Sequence, residues 1–209
     1  MNGLLGKKVG MTQVWDAEGV RVAVTVLEVG PCPVVQVKTK DGKDGYDAVQ
    51  VGFGAQKPQR LTKAVRTRFE KAGVAPCREL AEFDAEGDAV KVGDTLCVDV
   101  FDGVALVDVT AVTKGRGFAG VVRRYRMGGG PHGHGGHSKR RIGSIGERDL
   151  PGWIAKGKRM PGHMGAVKRT ARNLAVVQVR KDDNVLLVRG AVPGPAGATV
   201  IVRKALKKA

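Results

Sequence analysis

The chain has 209 residues, with 36 Lys or Arg against 20 Asp or Glu, a formal net charge of +16 and a pI near 10.2. This charge predicts a polyanionic partner, nucleic acid first and an anionic membrane surface second. Three cysteines without a C-x-x-C pair argue against disulfides and zinc sites and favour a reducing cytosol. No apolar run approaches 18 residues, which argues against a membrane span.

The first quarter of the chain predicts three short β-strands. Residues 11–15 lead into a first strand in which residues 20–26 alternate valine with polar or small residues, so that one face is buried. Residues 34–37 start the second strand, and residues 46–53 form the third. Aspartate-glycine pairs in the 41–45 stretch supply the turn between them.

The pattern changes between residues 56 and 73. Residues 63–71 are the best helix candidate, because Gly73 follows as a stop. Residues 78–83, 95–101 and 105–112 read as further strands. Together these elements predict a small α/β lobe inserted at about residues 55–92.

Regular structure returns near the carboxyl end. Residues 174–180 and 185–189 predict a hairpin around a turn at residues 182–184, and residues 199–203 predict a last strand. We therefore expect a mainly β fold with minor α, a barrel or sandwich of short strands. Its globular domain should combine residues 1–113 with 173–209.

Residues 114–172, which we call the basic segment, differ from the rest in composition. They hold 15 Lys or Arg, two acidic residues, 15 Gly and all four His, a balance of 15 − 2 = +13. So many cations, with few apolar neighbours, cannot form a core, and the segment should be extended until an anionic partner orders it. We expect it to be a loop that penetrates folded RNA, to which isolated apolar residues would add contacts between bases.

Three glycines at the start of this segment spell G-x-G-x-x-G, with a helix expected at residues 118–125. That layout suggests a dinucleotide-binding enzyme. However, Lys114 and Arg116 are cationic, no acidic residue follows about 20 positions later, and no βαβ alternation continues. The glycines would instead let the backbone approach phosphates.

Three histidines in a glycine-rich run (MGGGPHGHGGHSK) raise the possibility of a metal site. Nothing in the sequence fixes the backbone between these glycines, and no Cys or carboxylate lies nearby as a further ligand. We expect the histidines to contact RNA, with no metal, no cofactor, no catalytic residue and no small-molecule substrate. The predicted RNA contacts in the basic segment are Lys114, Arg116, Arg123, Arg124, Arg126, His132, His134, His137, Lys139, Arg140, Arg141, Arg148, Trp153, Lys156, Lys158, Arg159, His163, Lys168, Arg169 and Arg172.

Several runs resemble one bacterial ribosomal protein family, the large-subunit protein numbered three in the L series. They are FDGVALVDVTAVTKGRGFAGVVRR (residues 101–124), GLLGKKVGMTQVW near the start, GSIGERDLPGWIAKGKRMPGHMG and NVLLVRGAVPGP. The matching positions in the first run are Phe101, Asp108, Ala111, Thr113, Gly115, Arg116, Gly117, Gly120 and Arg124.

The resemblance implies a closed β-barrel of the kind shared with translation factors, plus the α/β lobe. It implies that the long loop and a basic N-terminus, here with Lys7 and Lys8, penetrate large-subunit (23S-type) rRNA early in assembly. The loop tip, near residues 156–165, would approach the peptidyl transferase centre without catalytic groups. Neighbouring large-subunit proteins would be further partners. The alternative is an RNA-binding assembly factor that is not a ribosome component.

Overall fold

The computed structural model describes residues 1–16, 18–85 and 90–206. In this part of the chain the protein is mainly β, which confirms the predicted class. The first strands are β1 Gly3–Trp15, β2 Arg21–Val29, β3 Cys32–Lys38, β4 Ala48–Ala55, β5 Cys77–Phe83 and β6 Thr95–Leu96. The later strands are β7 Leu106–Val112, β8 Phe118–Ala119, β9 Gly162–His163, β10 Lys168–Arg180, β11 Val185–Arg189 and β12 Thr199–Lys204. The α-helices are α1 Lys63–Ala72 and α2 Val121–Tyr125.

Six strands hydrogen-bond in a ring in the order β1-β12-β7-β10-β11-β2, so that the sheet closes on itself. Each neighbouring pair is antiparallel, with Leu4 opposite Val202 and Val109 opposite the same valine on the other side. Closure leaves each of these strands with two hydrogen-bonded neighbours, so no open edge remains in the ring. Its main core residues are Leu4, Leu27, Val29, Phe101, Val107, Val109, Leu186, Val188, Val200 and Val202.

The predicted alternation of valines over residues 20–26 is confirmed for Val22 and Val24, whereas Val20 is 55% exposed and precedes β2. Val22 and Val24 are buried and pack with Leu187, whereas Arg21 and Ala23 between them are exposed. Successive side chains of a strand point to opposite faces, which is why this pattern could be read without a structure.

A second sheet has the order β5-β4-β3-β6, with α1 packed against it. The helix buries Phe69 against Val35 and Cys77, and Gly73 ends it in the left-handed conformation at φ +65°. The helix prediction is confirmed. The sheet takes strands from residues 32–55 as well as from residues 77–96.

Two predicted elements are wrong in part. Residues 95–101 form a strand only at Thr95–Leu96, and Val98–Phe101 is a 3₁₀ helix that buries both of its end residues in the main core. Residues 118–125 are helical only from Val121, because Phe118 and Ala119 pair as a strand with His163 and Gly162. Long-range pairing outweighs local propensity there.

The amino-terminal residues are part of the closed sheet. Gly3–Trp15 is a single strand in which Leu4 and Leu5 are buried. These residues thus belong to the globular domain, and the contact of Lys7 and Lys8 with rRNA that the resemblance implies stays a prediction.

The chain divides into two compact units, one formed by Met1–Val112 with Lys168–Ala209 and the other by Thr113–Val167. The first contains both sheets. We call Thr113–Val167 the second unit.

Candidate nucleic-acid interface

The two ends of the second unit run antiparallel as a narrow ribbon, formed by residues 113–119 and 162–167. The Arg116 N–H donates to the Met164 carbonyl at 2.8 Å, and the Met164 N–H donates to the Gly117 carbonyl at 2.9 Å. The Thr113 N–H donates to the Val167 carbonyl at 3.0 Å. Strands β8 and β9 pair at the other end of the ribbon, next to residues 120–161. The ribbon therefore fixes where the enclosed residues 120–161 begin and end.

The G-x-G-x-x-G run lies within this ribbon. Gly117 has φ +64°, strand β8 occupies the positions between Gly117 and Gly120, and α2 has only five residues. A dinucleotide site needs a strand, a tight glycine turn and a long helix in a βαβ unit. The antiparallel pairing with β9 is a different arrangement, so the geometry gives the dinucleotide hypothesis no support.

Glycine is required where the ribbon strands approach most closely. Gly165 has φ +78°, and a Cβ atom at this position would collide with the Lys114 carbonyl oxygen. Gly162 and Gly165 thus belong to the ribbon. The expectation that residues 156–165 form the tip of the loop is wrong for residues 162–165, because they pair with the start of the segment.

Arg124 joins α2 to the chain that enters β9. Its Nη1 donates to the Met160 carbonyl at 2.7 Å, and a Cβ on Gly162 would lie 2.6 Å from the same nitrogen. The guanidinium carbons of Arg124 and Arg159 lie 5.0 and 5.7 Å from the centroid of the Tyr125 ring, within cation–π range. Arg124 is half-buried and already bonded, which distinguishes it from its exposed neighbours.

The three histidines of the glycine-rich run lie on a loop that is closed at its base. The Gly130 N–H donates to the Lys139 carbonyl at 3.2 Å, and a Cβ on Gly129 would lie 2.5 Å from that oxygen. The prediction that nothing fixes this backbone is therefore wrong at the base of the loop, where absent side chains allow two backbones to touch. His132, His134 and His137 are all exposed. Among the described residues, no three His, Cys, Asp or Glu side chains are grouped closely enough to hold a metal ion.

Charge in the second unit is almost entirely unneutralised. The unit holds 12 Lys or Arg and two acidic residues, a balance of 12 − 2 = +10. Of these residues, all of which the structure describes, only Arg148 and Asp149 form an ion pair, at 3.8 Å and highly exposed. Such a pair contributes little. The exposed predicted contacts in this unit are Lys114, Arg116, Arg123, Arg126, His132, His134, His137, Lys139, Arg140, Arg141, Arg148, Trp153, Lys156, Lys158, Arg159 and His163.

The remaining predicted contacts lie on the closed sheet of the first unit. Lys168, Arg169 and Arg172 are exposed on β10, and Lys7 is exposed on β1. Lys8 is buried, and its Nζ donates to the carbonyls of Val192 at 2.8 Å and Gly194 at 3.3 Å. Adjacent strand residues face opposite ways, so the two lysines are placed differently despite their similar sequence context.

Two further large apolar side chains of the second unit are exposed: Leu150, one of the isolated apolar residues expected to lie between bases, and Phe118, which the sequence pattern did not single out. Phe118 is 80% exposed and Leu150 is 83% exposed, against 62% for the predicted Trp153. A large apolar residue between charged and glycine residues, where no core can form, is the sequence signal that identifies such side chains.

No helix in the described part of the chain combines the length and apolar character that crossing a membrane requires.

Comparison with known proteins agrees with these features. The family model described as ribosomal protein L3 matches residues 78–186. The large ribosomal subunit protein uL3 of Brachyspira hyodysenteriae is 45% identical over 209 residues, covering 100% of this chain and 96% of that protein. The uL3 proteins of Nitrosococcus oceani and Corynebacterium jeikeium are 48% and 46% identical, with 98% and 99% of this chain covered and 97% and 95% of theirs.

Proposed function

Because the chain belongs to the ribosomal protein L3 family and is a large-subunit ribosomal protein, we propose that it binds large-subunit rRNA and helps to shape it. As a member of a family of structural ribosomal proteins, it is not an enzyme. The observation that carries the proposal is the second unit's balance of +10 with a single exposed ion pair among its residues.

Phosphate neutralisation supplies most of the binding free energy in this proposal. Lysine and arginine displace condensed counterions when they contact phosphates, so affinity falls steeply with salt. Arginine also forms bidentate bonds to phosphate. Arg140 and Arg141, both exposed next to Lys139, form the densest cationic cluster of the second unit and are assigned to phosphates.

Flat and apolar side chains provide the contacts to bases. Trp153, Phe118 and Leu150 are exposed, and unpaired bases stack on such groups at about 1–3 kcal/mol per base for an aromatic side chain. The exposed histidines of the closed 130–139 loop present hydrogen-bonding edges to RNA crevices.

Two of the predicted contacts receive a different role. The side chains of Arg124 and Lys8 donate hydrogen bonds to backbone carbonyls of the protein. We assign them to holding the second unit and the closed sheet, respectively, rather than to phosphate contact.

The proposed roles of the globular domain and the basic segment follow from the resemblance to the family. We propose that the globular domain, expected at residues 1–113 with 173–209, is a barrel of the translation-factor kind with an α/β lobe, docked on the RNA surface. Residues 168–172 lie on β10 of its closed sheet and are assigned to it. The rest of the basic segment, residues 114–167, enters the rRNA early in assembly and extends toward the peptidyl transferase centre in the cytoplasmic ribosome. The ribbon at residues 113–119 and 162–167 gives the inserted residues a defined base, and neighbouring large-subunit proteins complete the surroundings.

The test replaces Arg140 and Arg141 with Ala in the full chain. Binding to isolated large-subunit rRNA should weaken, and the slope of log affinity against log salt should become shallower by about 1.4–1.8 if both side chains contact phosphates. Replacing Lys40 and Lys181, which have carboxylate partners, is the matched control. An unchanged slope in the Arg140/Arg141 variant contradicts the proposal.

A second measurement separates a ribosome component from an assembly factor. A permanent component should remain with large subunits that are sedimented in high salt. Release of the chain from mature subunits, with retention only on precursors, would favour the assembly-factor alternative.

A further inference from the structure

A second set of exposed cations lies in the first unit, around α1. Residues 57–71 hold six Lys or Arg and one acidic residue, a balance of 6 − 1 = +5. This stretch contains helix α1, and the proposed function assigns no role to its positive charge. All six cations are exposed, but Arg66 pairs with Glu70 and Arg68 bonds to Gln50. We call the other four the lobe face: Lys57, Arg60, Lys63 and Lys71.

The charges of the lobe face are not paired, unlike those of several other lysines of the first unit. Lys38 lies 2.8 Å from Glu82, Lys40 lies 3.4 Å from Asp47, and Lys181 lies 2.6 Å from Asp102. Within residues 1–16, 18–85 and 90–206, the four cations of the lobe face form no ion pair.

The acidic groups near α1 are already engaged elsewhere. Glu70 lies 3.8 Å from Arg66 one helical turn away, and Glu79 lies 3.7 Å from Arg78. Glu82 accepts hydrogen bonds from Tyr46 and Gln50, and the amide oxygen of Gln50 accepts a bond from Arg68. This network binds one side of the helix to the sheet and leaves the lobe face facing solvent.

Helical geometry separates the two faces. Leu61, Val65 and Phe69 repeat every four positions and pack in the cluster that also contains Val35 and Cys77. Lys63 and Lys71, eight residues apart, lie about 12 Å from one another along the axis on a different, exposed face. Thr67 lies between them, is half-buried, and donates its hydroxyl to the Lys63 carbonyl at 2.9 Å, so the exposed part of that face consists of the two lysines.

We propose that the lobe face is a second contact for RNA phosphates, on the same rRNA that the second unit binds. Exposed neighbours of the four cations are Gln59 and Thr62. Lysine, arginine, threonine and glutamine are the side chains that supply phosphate contacts. A protein partner would select an apolar and aromatic centre with few lysines, and this surface has neither feature.

This inference rests on the proposed function, and it adds a contact on the other compact unit. It implies that RNA binding is divided between a lobe that positions the globular unit and a glycine-rich segment that enters the RNA. Removing the lobe contacts should then weaken binding even when the second unit is unchanged.

The test compares two triple variants of the full chain with equal net charge. Arg60→Gln, Lys63→Gln and Lys71→Gln remove three cations of the lobe face. Lys40→Gln, Lys43→Gln and Lys181→Gln remove three exposed cations that have carboxylates as ion-pair partners or close chain neighbours. Affinity for large-subunit rRNA is measured over a range of KCl concentrations, and the variants Lys63→Arg and Lys71→Arg, which keep the positive charge, should bind like wild type.

In the lobe variant, the slope of log affinity against log salt should become shallower by about 2–3, and in the control variant by less than 1. Equal changes in the two triple variants, or an unchanged slope in the lobe variant, would overturn the inference. In one outcome, the lobe variant keeps the wild-type slope while the double variant Arg140→Ala with Arg141→Ala makes it shallower. That result would contradict the inference about the lobe face and leave the proposed function standing. A wild-type chain without salt-dependent rRNA binding would overturn the proposed function itself.

Discussion

The Arg124 guanidinium donates a 2.7 Å hydrogen bond to the Met160 carbonyl, across 36 residues of sequence. This bond joins helix α2 to the chain just before β9, in a unit that has little regular structure between them. Arg124 therefore stabilises the second unit, a role that cannot be predicted from its positive charge.

Replacing Arg124 with Lys should loosen the second unit while keeping its charge. Lysine cannot reproduce the planar fork that reaches Met160 and lies over Tyr125. Because a hydrogen bond from a charged group contributes about 1.5–3 kcal/mol, we expect the Met164 amide, which is bonded within the ribbon, to exchange at least about tenfold faster. Arg123→Lys, on the exposed side of the same helix, is the control. Equal exchange rates in the two variants would show that Arg124 does not hold the unit.

Gly165→Ala should destabilise the ribbon. The new Cβ would meet the Lys114 carbonyl oxygen, and the backbone at φ +78° is strained for alanine. We expect a loss of about 2 kcal/mol or more in the local opening free energy, measured by amide exchange at Arg116. Gly143→Ala meets no heavy atom within 4 Å and should be nearly neutral. A neutral Gly165→Ala would mean that the ribbon is not closed in solution.

The sheet β5-β4-β3-β6 should become less stable in acid, because the Glu82 carboxylate loses its charge. Hydrogen bonds from Lys38 and Tyr46 hold the pKa of this carboxyl below its usual value. A depressed folded-state pKa adds stability above the unfolded-state value of about 4.5, and that stability is lost as the pH falls through the folded-state pKa. Glu82→Gln should therefore lower the unfolding free energy at pH 7 by about 1 kcal/mol or less.

The difference between Glu82→Gln and wild type should shrink as the pH falls below the unfolded-state value of about 4.5, and vanish once the folded-state carboxylate is protonated. Glu79→Gln, at the looser 3.7 Å pair with Arg78, is the matched control. A constant difference from pH 3 to pH 7 would show that the Glu82 charge is not the cause.

The cysteines should react with iodoacetamide in a fixed order. Burial raises the pKa of the Cys32 thiol to about 12 and also raises the pKa of Cys77, whereas Cys97 is only half-buried. Because the thiolate is the reactive form, the raised pKa values of Cys32 and Cys77 slow their alkylation. We expect Cys97 to be alkylated first and Cys32 only on unfolding, as mass spectrometry can show. Alkylation of Cys32 in the folded protein at the rate of Cys97 would contradict the buried placement.

The parts of the fold that the sequence predicted are those governed by local rules. The alternation of Val22 and Val24 with exposed residues follows from strand geometry. Gly73 marks the end of α1 because it adopts a left-handed conformation that other residues disfavour. Neither inference needs to know which distant segment pairs with which.

The errors arose where distant residues decide the structure. Phe118 appeared helical by its neighbours, but its backbone pairs with His163, 45 residues later. Lys8 looked like a second exposed lysine beside Lys7, yet it reaches the carbonyls of Val192 and Gly194. For the site, the sequence identified the charged segment and most of its exposed side chains, but not the two cations that the fold itself uses.

The most direct test of the account is amide hydrogen exchange of residues 126–161 in the free protein and in its complex with large-subunit rRNA. These residues lie between α2 and β9, carry most of the exposed cations of the second unit and contribute little regular backbone hydrogen bonding. The account predicts fast exchange in the free protein and strong protection on binding, while the Leu186 and Val188 amides of the closed sheet stay protected in both. Exchange of residues 126–161 that does not change when the rRNA binds would contradict it.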